Sequence, residues 1–151
     1  MLNIGTKAPD FTLPSTSGKK FNLSKDAQGE AIVLYFYPKD NTRVCTAEAC
    51  QFRDNFDLLK DLSIKVIGIS TDSIVRHKSF KDKHQLPFDL LSDKDGKVSK
   101  SYKAHIPFLN LSKRITYLLN TDHEIVEVVN DLFSAEKHIK QIIKNINKIK
   151  K

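Results

Sequence analysis

The chain has no tryptophan, one methionine and only two cysteines among its 151 residues. Two thiols cannot build the bridge framework of a small secreted domain, which spreads four or more along the chain. Glycine and proline contribute five residues each, too few for a fibre or a flexible linker. No apolar run approaches the ~20 residues that a membrane-spanning helix requires. The start, Met1-Leu2-Asn3-Ile4-Gly5, lacks the basic stretch and apolar core of a secretory leader. These features and the scarcity of cysteine point to a reducing, cytoplasmic setting. What remains is a chain of one domain's length, 1–151, that is 40% apolar and 28% charged. Such a chain can bury about 70% of its unfolded surface.

The formal charge is +7, from 25 Lys and Arg against 18 Asp and Glu. Only four of the basic residues are arginine, and the excess gathers at the end, in Lys137, Lys140, Lys144, Lys148, Lys150 and Lys151. A nucleic-acid reader interleaves arginine with aromatic residues on one face. No aromatic lies among these lysines, so the run reads as a solvated helix face, and neither a nucleic-acid nor a membrane partner is expected.

Periodicity divides the chain into alternating elements. Residues 10–13 and 20–23, joined by the Ser15-Thr16-Ser17-Gly18 turn, predict a hairpin. The apolar run 31–37, stopped by Pro38, predicts a strand buried on both faces. Ala49, Phe52, Phe56 and Leu59 recur at helical spacing and predict one helix over 45–62. A strand at 64–69, a helix at 74–83 opened by a serine cap, a short strand at 86–91 and a short helix at 98–102 follow. Strands at 115–119 and 125–129 are close enough to pair antiparallel, and a helix over 134–149 ends the chain. This order implies an α/β fold: a mixed central β-sheet flanked by helices, with an N-terminal β-hairpin. A thioredoxin-like fold fits it, whereas a small flavodoxin-like domain would lack the late strand pair.

Both cysteines lie in one segment. Cys45 falls at the predicted start of a helix, where unpaired backbone N–H groups and the positive end of the helix dipole favour a thiolate. Cys50 follows five residues later. In an intact helix the pair is separated by about 7.5 Å of rise and about 140° of rotation. A disulfide requires Cα atoms within about 7 Å, so bonding would require the first turns to unwind. None of the five histidines has ligand spacing with the pair, and no metal site is expected. Thr42 reads as a helix cap or as a hydroxyl for a bound oxygen, and Glu48 as a carboxylate that favours the positive helix end or holds an arginine. Pro38 sets the path of the loop. Arg114, which opens a strand, and Arg53, on the Cys45 helix, compete for the place beside the thiol.

The segment from Tyr35-Phe36-Tyr37-Pro38 through Thr42 and Cys45 to Glu48-Ala49-Cys50-Gln51-Phe52-Arg53-Asp54 resembles the active-site region of the peroxiredoxins. It is most similar to the bacterioferritin comigratory protein, or Q, type. The opening Lys7-Ala8-Pro9-Asp10-Phe11-Thr12-Leu13, the pieces Ile67-Gly68-Ile69-Ser70 and Phe88-Asp89-Leu90-Leu91-Ser92-Asp93, and the stretch from Arg114 to Leu119 resemble the same family. The resemblance implies a thioredoxin-like fold, often monomeric, and a thioredoxin-dependent thiol peroxidase that needs no cofactor. By the same resemblance it would reduce hydrogen peroxide and organic hydroperoxides to water and alcohols. Cys45 would be the peroxidatic cysteine and Cys50 the resolving one, joined as an intramolecular disulfide after oxidation. Thr42 and Arg114 would bind the peroxide oxygens, Pro38 would pack over the thiolate and Glu48 would orient Arg114.

One departure stands out. Arg43-Val44 occupies the place of the family's usual Pro-Gly. Valine resists positive φ, so either the loop never needed that conformation or its shape differs here. Three other readings of the cysteines can be told apart by assay. A disulfide reductase would turn over protein disulfides, a redox sensor would form its link once, and a basic nucleic-acid module would not need either thiol.

Overall fold

The computed structural model describes residues 1–149, so Lys150 and Lys151 of the basic tail lie outside the described residues. Thr12–Pro14 (β1) and Lys20–Asn22 (β2) pair antiparallel, Leu13 opposite Phe21. A short helix that periodicity did not reveal, Leu23–Asp26 (α1), follows, with the Asn22 side chain accepting from Lys25 N. Ala31–Phe36 (β3) leads through a loop into Arg43–Asp54 (α2) and Phe56–Asp61 (α3). Next come Ile64–Ser70 (β4), Ile74–His84 (α4), Asp89–Ser92 (β5) and Lys97–Ser101 (α5). Ile115–Leu119 (β6), Ile125–Asn130 (β7), Ala135–Lys144 (α6) and a 3-10 turn at Ile146–Ile149 complete the order. Among the described residues no helix is long and apolar enough to cross a membrane.

Five strands form one mixed sheet in the order β5-β4-β3-β6-β7. β3, β4 and β5 run parallel; β6 is antiparallel to β3, and β7 to β6. This is the expected α/β, thioredoxin-like arrangement, with the hairpin as a separate two-stranded sheet. The alternation of a strand's side chains divides β3 between two cores. Ile32, Leu34 and Phe36 join Phe11, Leu13, Leu23, Tyr102 and Tyr117 on one face. Ala31, Val33 and Tyr35 join Ala49 and Phe52 of α2, Leu59 of α3, Phe80 of α4 and Ile139 and Ile142 of α6 on the other. The long helices therefore cover one face, while the hairpin, α1 and α5 close the other.

Three predicted boundaries move for local reasons. The single helix expected over 45–62 breaks at Asn55, whose side-chain amide donates to Gln51 O at 2.8 Å alongside its own backbone N–H, 3.2 Å from the same carbonyl, and so closes the end of α2. Asn145 likewise adds a side-chain bond to Gln141 O, 2.9 Å, beside its backbone one at the end of the last α-helix, which stops at Lys144 rather than 149. The strand expected from 86 begins at Asp89, because Pro87 has no N–H to offer a ladder.

Gly68 lies between Tyr35 on β3 and Leu90 on β5. A Cβ there would come within 2.7 Å of the Tyr35 hydroxyl and 2.8 Å of Leu90 Cδ2. The missing side chain is what lets the Tyr35 ring lie across the sheet and stack on Phe52 at 4.7 Å. Gly68→Ala is expected to destabilise the fold by ~1–3 kcal/mol through overpacking, read as a lower urea midpoint with an unchanged slope.

Candidate active site

The sheet brings the two halves of the site together before any side chain is considered. β3 and β6 are antiparallel with Phe36 opposite Ile115, so the loop leaving β3 and the residue entering β6 share one end of the sheet. Ile115, Tyr117 and Leu119 belong to the hairpin-side core. By alternation Arg114, Thr116 and Leu118 face the side covered by α2 and α6.

α2 starts at Arg43, with Thr42 at the cap position, and Cys45 is its third residue. The first helical bond runs from Thr46 N to Thr42 O, 2.8 Å. The preceding N–H groups have no partner within the helix, and they lie at its positive end. The Thr42 hydroxyl does not cap them, contrary to one of the expectations for it. It is exposed and donates to Lys39 O at 2.8 Å. The Arg43-Val44 departure is resolved as well: both are ordinary helical residues, and the loop's positive φ (63°) falls on Asn41 instead. Asparagine tolerates that conformation better than a branched residue.

Arg114 is held on three sides. Its Nη2 donates to Cys45 Sγ at 3.1 Å, its Nη1 to Glu48 Oε1 at 2.8 Å and its Nε to Leu132 O at 2.9 Å. Cys45 is 1% exposed and Arg114 3%, so this fork operates away from bulk water. Glu48 is three residues past Cys45 and therefore on the same helical face. Burial, only partly offset by Arg114 and Thr116, pushes its carboxyl up to about 7. Burial opposes the charge on Arg114, but Glu48 and Cys45 outweigh it and raise the pKa of the guanidinium. Behind Glu48, His138 Nδ1 lies 2.7 Å from Thr116 Oγ1 and 3.4 Å from Glu48 Oε2. His138 Nε2 lies 2.8 Å from Asp131 O, and burial lowers the pKa of the ring.

The loop before α2 has its own anchor. Asp40 accepts from the Tyr37 hydroxyl at 2.6 Å and lies 2.6 Å from His77 Nδ1, while its N–H donates to Asp72 Oδ2 at 2.8 Å. His77 Nε2 meets Leu91 O at 2.9 Å. Asp40, Asp72 and His77 bring ligand-type atoms close together. Each already has a protein partner, so the cluster fastens the loop to α4 and β5.

The structure thus brings together Cys45, Arg114 and Glu48 of the expected set. Pro38 is half-buried at the head of the anchored loop, and Cys50 is a half-buried free thiol further along α2. Arg53 leaves the competition: it donates to His84 O at 2.8 Å and to Asp54 at 3.1 Å. Sequence reasoning missed His138, Thr116 and the Tyr37–Asp40–His77 anchor. His138 did leave a signal, being a histidine in the buried stripe of Ala135, Ile139 and Ile142.

Residues 4–128 match the model of the AhpC/TSA family. The chain is 43% identical over 141 residues to the chloroplastic peroxiredoxin Q of Oryza sativa subsp. japonica, covering 93% of this chain but 64% of that protein. It is 38% identical over 148 residues to the putative peroxiredoxin bcp of Coxiella burnetii, covering 94% of this chain and 97% of that one. The crystal structure of the peroxidoxin BcpB from Mycobacterium tuberculosis matches with a TM-score of 0.91 at 30% identity, over 100% of both chains. A thiol at a helix start beside a clamped arginine, on this sheet and with these relatives, places the chain in the AhpC/TSA family, among the peroxiredoxins of the Q, or bacterioferritin comigratory, type.

Proposed function

We propose that the chain is a thiol peroxidase that reduces hydrogen peroxide and organic hydroperoxides and is recharged by thioredoxin or a similar dithiol. The observation that supports it most is Arg114 Nη2 at 3.1 Å from Cys45 Sγ, at the positive start of α2 and nearly closed to water. The Cys45 thiolate attacks one peroxide oxygen in line with the O–O bond. That bond breaks, sulfur is oxidised to a sulfenic acid, and the leaving oxygen takes a proton to become water or an alcohol. Arg114 and the first N–H groups of α2 stand where the negative charge grows. The Thr42 hydroxyl, already donating to Lys39 O, keeps its lone pairs for a hydroperoxide O–H. Pro38 shields the thiolate, and Glu48 fixes Arg114.

Cys50 then condenses with the sulfenic acid and expels water as the first turns of α2 open. An external dithiol reduces the resulting disulfide by exchange. The reading includes one domain, 1–151, acting as a monomer in a reducing cytoplasm. Mixing reduced protein with peroxide in a stopped-flow instrument, followed by mass analysis, tests it: rapid consumption and an intramolecular Cys45–Cys50 disulfide are expected. Cys50→Ser should keep the rate of the first oxidation, accumulate sulfenic acid and lose recycling by thioredoxin. A Cys50→Ser enzyme that thioredoxin recycles as fast as the parent would remove Cys50 from the cycle.

A further inference from the structure

The cluster around Arg114 carries an excess of negative charge unless it keeps a proton. A Cys45 thiolate and a Glu48 carboxylate bear on one guanidinium, and all three are buried. An unbalanced charge in such a place is strongly unfavourable. The surrounding hydrogen bonds indicate where the balancing proton resides. Asp131 O can only accept, so His138 Nε2 carries a hydrogen at 2.8 Å. His138 Nδ1, Thr116 Oγ1 and Glu48 Oε2 then converge, at 2.7, 3.4 and 3.5 Å from one another. Thr116 supplies one hydrogen for two acceptors, Glu48 Oε2 and His138 Nδ1, which are left facing each other at 3.4 Å. A second proton, on Glu48 Oε2 or His138 Nδ1, satisfies the contact and brings the thiolate, guanidinium, carboxylate and imidazole to zero net charge.

We propose that His138 is a positioning residue for the peroxidase reaction: with Glu48 and Thr116 it retains the proton that lets Cys45 and Glu48 share Arg114. This rests on the peroxidase reading above. His138 lies on α6, beyond the 4–128 stretch that matches the family model. The ionisable groups bearing on the pair are Arg114 from just before β6, Asp131 from the loop before α6 and Tyr35 from β3, with Cys45 of α2 acting on Arg114. The Asp131 carboxylate is already engaged by Phe133 N, Ser134 N and Lys137. Burial raises the Glu48 carboxyl and lowers the His138 ring, disfavouring the charged form of each, which supports a proton kept within the contact. The proton balance follows the chemistry. The proton leaving the Cys45 thiol is matched by the one gained at Glu48–His138. When a neutral sulfenic acid replaces the thiolate, the pair releases a proton, matching the one the leaving oxygen takes up.

Long-range 1H–15N spectra of the histidine rings in the reduced wild-type protein, recorded between about pH 5 and pH 9, read the proton directly. The Nδ1 signal of His138 is expected to titrate, and to titrate differently in Cys45→Ser, which has no thiolate. An Nδ1 signal that stays constant and identical in both proteins overturns the proposal. His138→Asn keeps a polar partner for Thr116 but cannot bind a proton. Its first oxidation step is expected to slow by about 10–100-fold, the range by which losing an outer hydrogen-bonded partner lowers activity at metal centres, with a displaced pH–rate profile. A His138→Asn profile that superimposes on wild type overturns it too, and if that variant does not fold, the wild-type spectra decide. A wild-type protein that consumes no peroxide would sink the peroxidase reading instead, while the spectra would still report on the proton.

Discussion

Cys45→Ser is expected to lower peroxide turnover by more than about 10⁴-fold, the scale on which loss of a nucleophile is felt. A hydroxyl in the same place still meets Arg114, and the substitution removes little volume, so the fold should persist. What is lost is a sulfur nucleophile whose oxidised product can be reduced again. A thioredoxin-coupled assay of peroxide consumption measures the effect, with circular dichroism to confirm folding. Retained turnover in a folded Cys45→Ser protein would remove the thiol from the chemistry and with it the proposed function.

Arg114→Leu is expected to act on rate and stability together. The reaction loses a donor aimed at the developing oxyanion, worth about 10²–10³ in rate. The fold loses the guanidinium paired with Glu48 at 2.8 Å, and a buried carboxylate left without its partner costs ~3–5 kcal/mol. The stability loss depends on pH in a defined sense. The Glu48 carboxyl is already raised to about 7 in the native protein, above its value in an unfolded chain. Its contribution to stability is fully present in acid and is lost as pH rises through the native value. Without Arg114 the native value rises further, so the gap between variant and parent should widen above about pH 7. Urea midpoints measured on either side of neutrality test this; a gap independent of pH would show that Glu48 does not ionise against Arg114. Arg114→Lys should recover little, since an ammonium cannot serve Cys45, Glu48 and Leu132 O in one plane.

How much of this could be read from the chain alone depended on whether the cause was local. The run at 31–37 announced a strand buried on both faces, and the structure divides it alternately between two cores. The position of Cys45 at a helix start was also local, since it follows from a strand, a polar loop and a helical repeat. The choice of Arg114 over Arg53 was not. It depends on the β3–β6 register, which joins residues about eighty positions apart, and only the family resemblance anticipated it. His138 meets Glu48 across ninety residues, and a histidine in an apolar stripe marks a buried polar group without naming its partner. The helix break was hidden for a different reason: Phe52, Phe56 and Leu59 keep helical spacing across Asn55, so the periodicity runs on where the hydrogen bonds do not.

The interruption at Asn55 has a mechanical consequence. Any melting that begins at Cys45 meets a natural end there, because α3 is a separate helix that starts at Phe56 and keeps Leu59 in the core. At most the twelve residues of α2 need to lose order for the two thiols to meet, rather than the whole length to residue 62. In the proposed cycle a single asparagine would thereby act as a firebreak, confining each redox excursion to one helix while the neighbouring roof over the sheet stays in place.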